Sequence, residues 1–93
     1  NFVQVWDRIS SEIDLIKLSN ELSHLRESLK EKASEPSHFR ALFEVSEAEV
    51  AAKSNDGPKV LEHLKKAGKW SFDIARDIGV DIAAATLKKT MGL

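Results

Sequence analysis

Residues 15–29, LIKLSNELSHLRESL, carry the pattern that decides the fold. Apolar side chains recur there every three or four positions, which places them on one face of an α-helix. This leucine stripe consists of Leu15, Leu18, Leu22, Leu25 and Leu29. Most of the stability of such a helix comes from covering its apolar face, because short helices are marginal in water. The stretch therefore predicts a protein built from helices that pack side by side.

A second apolar stripe precedes the leucines and points to the other side of the same predicted helix. It consists of Phe2, Trp6, Ile9, Ile13 and Ile16. Either one helix runs through residues 2–32 and contacts different partners at its two ends, or the helix breaks near Ser10 and Ser11. Ser11 followed by Asp14 gives a capping-box signal for a fresh start. We favour one long, kinked helix whose first turns lie outside the core.

Two prolines and the glycines divide the rest of the chain into three further predicted helices. Pro36 and Pro58 suit the first turn of a helix, because the missing N–H has no intrahelical partner there. The predicted helices span residues 36–54, 58–78 and 81–91. We place Gly68 inside the helix over residues 58–78 as a point of close packing, and Gly79 at the end of that helix. The predicted fold is an all-α, small antiparallel bundle of about four helices.

The predicted helix over residues 36–54 carries apolar or small residues on two faces, which predicts a helix packed on both sides. One face holds Phe39, Leu42, Phe43, Ser46 and Val50, and the other holds Ala41, Val45, Ala48 and Ala52.

Composition excludes several classes of function. The chain has 93 residues and no Cys, so a disulfide framework, a thiol nucleophile and a Cys-based zinc site are excluded. No phosphate-binding, dinucleotide-binding or zinc-protease motif occurs, and no two histidines among His24, His38 and His63 are spaced as helical metal ligands. We therefore predict no enzyme activity, no cofactor and no metal. The lack of a signal peptide or a long apolar run predicts a cytoplasmic protein.

The charge is divided unevenly along the chain. Residues 1–57 carry seven basic and eleven acidic side chains, whereas residues 58–93 carry seven basic and four acidic ones. Lys65, Lys66, Lys69 and Trp70 form a local basic patch that could contact phosphate on an anionic lipid. A solvated helix face explains a patch of this size better. The overall charge of −1 argues against a nucleic-acid partner.

The back half resembles a C-terminal helical tail found in assorted bacterial multidomain proteins, several of them similar to defence or signalling effectors. The similar elements are residues 48–52, AEVAA, residues 60–70, VLEHLKKAGKW, and residues 78–80, IGV. The resemblance covers residues 14–93 and implies a non-enzymatic accessory or assembly domain without a ligand site. Residues 1–13 lie outside it, as a linker or the start of the first helix. We expect the chain to be a piece of a larger protein.

The apolar stripes favour a helical interaction module that clusters or regulates domains attached upstream. Its expected partner is a second copy of itself, most simply as a dimer, or another protein. The predicted contact residues are Trp6, Ile9, Leu18, Leu22, Leu25 and Leu29. The alternative is a membrane-active or lipid-binding bundle of the cell-death type that uses the basic patch.

Overall fold

The structure, a computed structural model, describes residues 1–92, which form helices joined by short loops and no strand. Leu93, the last residue of the predicted domain, lies outside the described residues. Five α-helices follow one another as α1 (Phe2–Ile9), α2 (Leu15–Lys32), α3 (Pro36–Lys53), α4 (Gly57–Ile78) and α5 (Asp81–Met91). The all-α prediction is confirmed, but the predicted antiparallel four-helix bundle is not matched.

The largest difference from the predicted boundaries is at the front, where one long helix was expected. Helix α1 ends at Ile9, a 3₁₀ turn follows at Ser10–Glu12, and Ile13 adopts an extended backbone with φ −120° and ψ 117°. The carboxylate of Asp14 then caps α2 by accepting hydrogen bonds from the backbone N–H groups of Ile16 at 2.9 Å and Lys17 at 3.2 Å. The cap at Asp14 makes a fresh helix start more favourable than a kink.

Gly68 is the second difference, because it interrupts α4. Its φ of 79° and ψ of −169° lie outside the helical region, so α4 consists of two segments that meet at this residue. A Cβ atom added there would have no neighbour within 4 Å. The prediction that Gly68 allows close packing is therefore wrong. The glycine is needed because an L-residue with a side chain rarely adopts this backbone conformation.

Helix α4 is the centre of the molecule, since it packs against each of the other four helices. Both of its segments bury their apolar face, so the break at Gly68 turns the chain without exposing the core. The buried residues of α4 are Gly57, Val60, Leu61, Leu64, Ala67, Ser71, Phe72, Ile74 and Ala75. The prediction that Gly79 ends the helix in a left-handed conformation is confirmed by its φ of 78°.

Candidate protein interface on helix α3

The leucines predicted to contact a partner are part of the core of this chain. Leu18, Leu22, Leu25 and Leu29 are fully buried, and they pack in one cluster with side chains of α3, α4 and α5. Covering them inside the chain is what stabilises α2. They offer no surface to a partner in this fold, which corrects the expectation that they form intermolecular contacts.

The other two predicted contact residues, Trp6 and Ile9, are half-buried on α1. The indole of Trp6 lies against the start of α4 at Gly57, where any side chain would overlap its ring. Gly57 thus permits the close approach that was assigned to Gly68. Because α1 is docked on its own chain, Trp6 and Ile9 present only part of their surface.

The exposed apolar surface of the molecule is concentrated on α3. Phe39, Phe43 and Val50 are 55%, 60% and 60% exposed, although all three are large and apolar. Their spacing places them in one line along the helix, with the half-buried Ser46 between them. The opposite face, with Ala41, Val45, Ala48 and Ala52, is buried. Helix α3 therefore has two apolar or small faces, as predicted, but only the small-residue face is fully covered within this chain.

Charged residues border this line on one side. Arg40 lies next to Phe39, and Glu47 lies seven residues further along, two turns away on the same flank. Neither side chain forms a salt bridge with another residue in the range 1–92. Arg40 also lines an open groove together with Phe39, Phe43 and Lys66. We refer to Phe39, Arg40, Phe43, Ser46, Glu47 and Val50 as the α3 surface.

A buried ion pair fixes α3 against α2. Glu49 is only 5% exposed, and its carboxylate accepts a hydrogen bond from Arg26 Nε at 2.7 Å and another from Lys53 Nζ at 3.0 Å. Burial raises the pKa of Glu49, but the hydrogen bonds from Arg26 and Lys53 lower it by more, so its pKa lies below the ordinary value of 4.5. The pair prevents α3 from rotating, because a rotation would leave a buried charge without a partner.

Two contacts to α4 hold the other side of α3. His63 Nδ1 lies 2.9 Å from Glu44 Oε1, with both side chains mostly buried. Near the start of α3, the ring of His38 stacks on Trp70, with centroids 3.9 Å apart and an interplanar angle of 8°. Together with the ion pair to α2, these contacts keep the α3 surface turned toward solvent.

Replacing Glu49 by Gln is expected to lower the free energy of unfolding at pH 7 by about 1–3 kcal/mol, the usual cost of losing buried hydrogen bonds to a charged group. A carboxylate whose pKa is lowered by folding stabilises the folded state above its unfolded pKa, and loses this effect as the pH falls through its folded pKa. The difference between Glu49→Gln and the unmodified protein should therefore shrink as the pH falls below 4.5.

Urea unfolding at pH 7 and at acidic pH measures this difference. The matched control is Glu27→Gln, because Glu27 is exposed and lies 3.4 Å from the same Arg26. It should change the stability by less than about 0.5 kcal/mol. An equal effect of the two variants would contradict the assignment of Glu49 as the buried anchor.

The predicted basic patch does not form one site. Lys69 pairs with Asp73 at 3.0 Å, and Lys65 Nζ lies 5.8 Å from the ring centroid of Phe2. Trp70 is occupied by its stacking contact with His38, and Lys66 lines the groove beside the α3 surface. Lys65, Lys69 and Trp70 therefore each have a contact of their own within the chain.

Residues 1–92 contain neither a metal-binding cluster nor a membrane-spanning helix. No group of three or more His, Cys, Asp or Glu side chains in this range is arranged to hold a metal ion. Over the same residues, no helix is both long enough and apolar enough to cross a membrane. In comparisons with known proteins, no family model, curated protein or solved structure matched the chain.

Proposed function

We propose that this protein is a non-enzymatic interaction module that self-associates through the α3 surface and so clusters or regulates the domains joined to it. The observation that carries the proposal is the line of three large apolar side chains left exposed on α3, while the leucines of α2 are buried. An exposed apolar patch bordered by polar residues is typical of a protein interface. The proposed setting is the cytoplasm of a bacterial cell.

The size of the patch sets the expected strength of association. Phe39, Phe43 and Val50 together expose roughly 300 Å² per copy, given ordinary aromatic side-chain areas. Burying this area in two copies releases roughly 15 kcal/mol at 25 cal/mol per Å², while association costs roughly 4–15 kcal/mol. The difference, roughly 0–11 kcal/mol, includes the roughly 8 kcal/mol that corresponds to a micromolar dissociation constant, so we expect weak association in the micromolar range. Weak association suits a module on a larger protein, because the joined domains add further contacts.

Sedimentation equilibrium of the chain over about 5–500 µM tests the proposal, because a micromolar dimer dissociates within this range. The average mass should rise from the monomer value of 10.4 kDa toward twice that value. A mass that stays at the monomer value throughout would contradict self-association.

A further inference from the structure

The α3 surface has the spacing of a helix-pairing seam. Phe39, Phe43, Ser46 and Val50 are separated by four, three and four residues, which is the alternation of core positions in a two-helix coiled coil. The chain therefore offers four core positions in a row, and the three large apolar side chains among them are more than half exposed. A second helix with the same spacing would fit it.

The flanking charges decide which orientation of a second copy fits. Each helix has two flanks, one on either side of the line of core positions. When two identical helices pair in antiparallel orientation around a two-fold axis, each flank lies against the same flank of the partner. Arg40 stands at one end of its flank and Glu47 at the other. The antiparallel pair thus places Arg40 opposite the partner's Glu47 and, by symmetry, Glu47 opposite the partner's Arg40.

The parallel orientation lacks this complementarity. It sets each flank against the opposite flank of the partner, and on α3 that flank holds Leu42 and Glu49. Leu42 is half-buried in the core, and Glu49 is already paired with Arg26 and Lys53. Neither residue is placed to meet Arg40 or Glu47.

We infer that the partner seated on the α3 surface is a second copy of this chain, packed antiparallel, with Phe39 opposite the partner's Val50 and Phe43 opposite the partner's Ser46. Each layer then sets a large side chain against a smaller one, as close packing requires. Lys66 lies in the groove beside Arg40, and the one carboxylate of that groove, Glu44, is already in contact with His63. This inference rests on the proposed function and adds the partner and its orientation.

Charge reversal with mixing tests the orientation. Arg40→Glu alone, or Glu47→Arg alone, places like charges opposite each other at both ends of the pair, so self-association should weaken about tenfold at low salt. An equimolar mixture of the two variants should associate within about threefold of the unmodified chain, because each Glu then faces an Arg. The double variant Arg40→Glu/Glu47→Arg should recover in the same way.

Sedimentation of each variant alone and of the mixture gives the result, with circular dichroism as a check of folding. If the single variants associate as well as the unmodified chain, or if the mixture does not recover, the antiparallel register is overturned while self-association stands. If the unmodified chain is itself a monomer, the proposed function fails and this inference fails with it.

Discussion

Replacing Phe43 by Asp is expected to weaken self-association about 100-fold or more and to leave the monomer folded. Each dimer would lose two buried phenyl rings, each worth roughly 1.5–3 kcal/mol of burial. It would also place two carboxylates in the apolar seam without a partner. The monomer should keep its stability within about 0.5 kcal/mol, because Phe43 is exposed in it.

Ile16→Asp is the matched control for Phe43→Asp. Ile16 is 76% exposed, so the same kind of change is made at an apolar residue at the start of α2, outside the α3 surface. Sedimentation of both variants should show dissociation for Phe43→Asp alone. Self-association through the α3 surface is contradicted if Phe43→Asp still associates like the unmodified chain, or if Ile16→Asp dissociates equally.

Gly68→Ala should destabilise the monomer by about 1–3 kcal/mol, the cost of forcing a residue with a side chain into a glycine-only backbone region. A continuous α4 helix would give the opposite sign, because Ala is about 1 kcal/mol better than Gly within a helix. The space around Gly68 is open, so no steric clash contributes to the result. The sign of the change therefore reports directly on the break in α4.

Urea unfolding at a protein concentration well below the dissociation constant measures this change without a contribution from dimerisation. Lys69→Ala serves as the control, since the neighbouring Lys69 is exposed and loses only a surface ion pair. It should shift the stability by less than about 0.5 kcal/mol. Stabilisation by Gly68→Ala would show that α4 runs straight through this position.

The sequence predicted those helices whose apolar residues are regularly spaced or whose first turn contains a proline. The leucines of α2 were recognisable as one face, and Pro36 and Pro58 marked the starts of α3 and α4, the latter within one residue. The breaks were harder to predict. The apolar spacing continues through Ser10 and through Gly68, and the choice between a kink and a fresh start depends on backbone energies that spacing does not report.

The candidate site could not be predicted from the sequence of α3 alone. Both faces of α3 are apolar or small, and only packing decides which face is covered. The alanine face is buried because small side chains let α2 and α4 approach, which leaves Phe39 and Phe43 exposed. A signal for the site was nevertheless present in the heptad spacing of Phe39, Phe43, Ser46 and Val50, with opposite charges at Arg40 and Glu47 on one flank.

The residues of the predicted basic patch have separate surroundings for a related reason. Neighbouring residues on a helix point about 100° apart, so the closeness of Lys65 and Lys66 in sequence does not bring their side chains together. The break at Gly68 then turns the backbone before Lys69 and Trp70. Contacts with Asp73 and His38 occupy these two residues.

The distance between two spin labels, one on each copy, detects the antiparallel pair and its orientation together. The chain has no Cys, so Ser37→Cys provides a unique attachment site at the exposed start of α3. In the antiparallel register this site lies opposite residue 52 of the partner. The two labels, one on residue 37 of each copy, should then be about 25 Å apart, given a rise of 1.5 Å per residue and helix axes 8–10 Å apart. A distance of about 10 Å, as in a parallel pair, or no dipolar coupling at about 500 µM, would contradict the account.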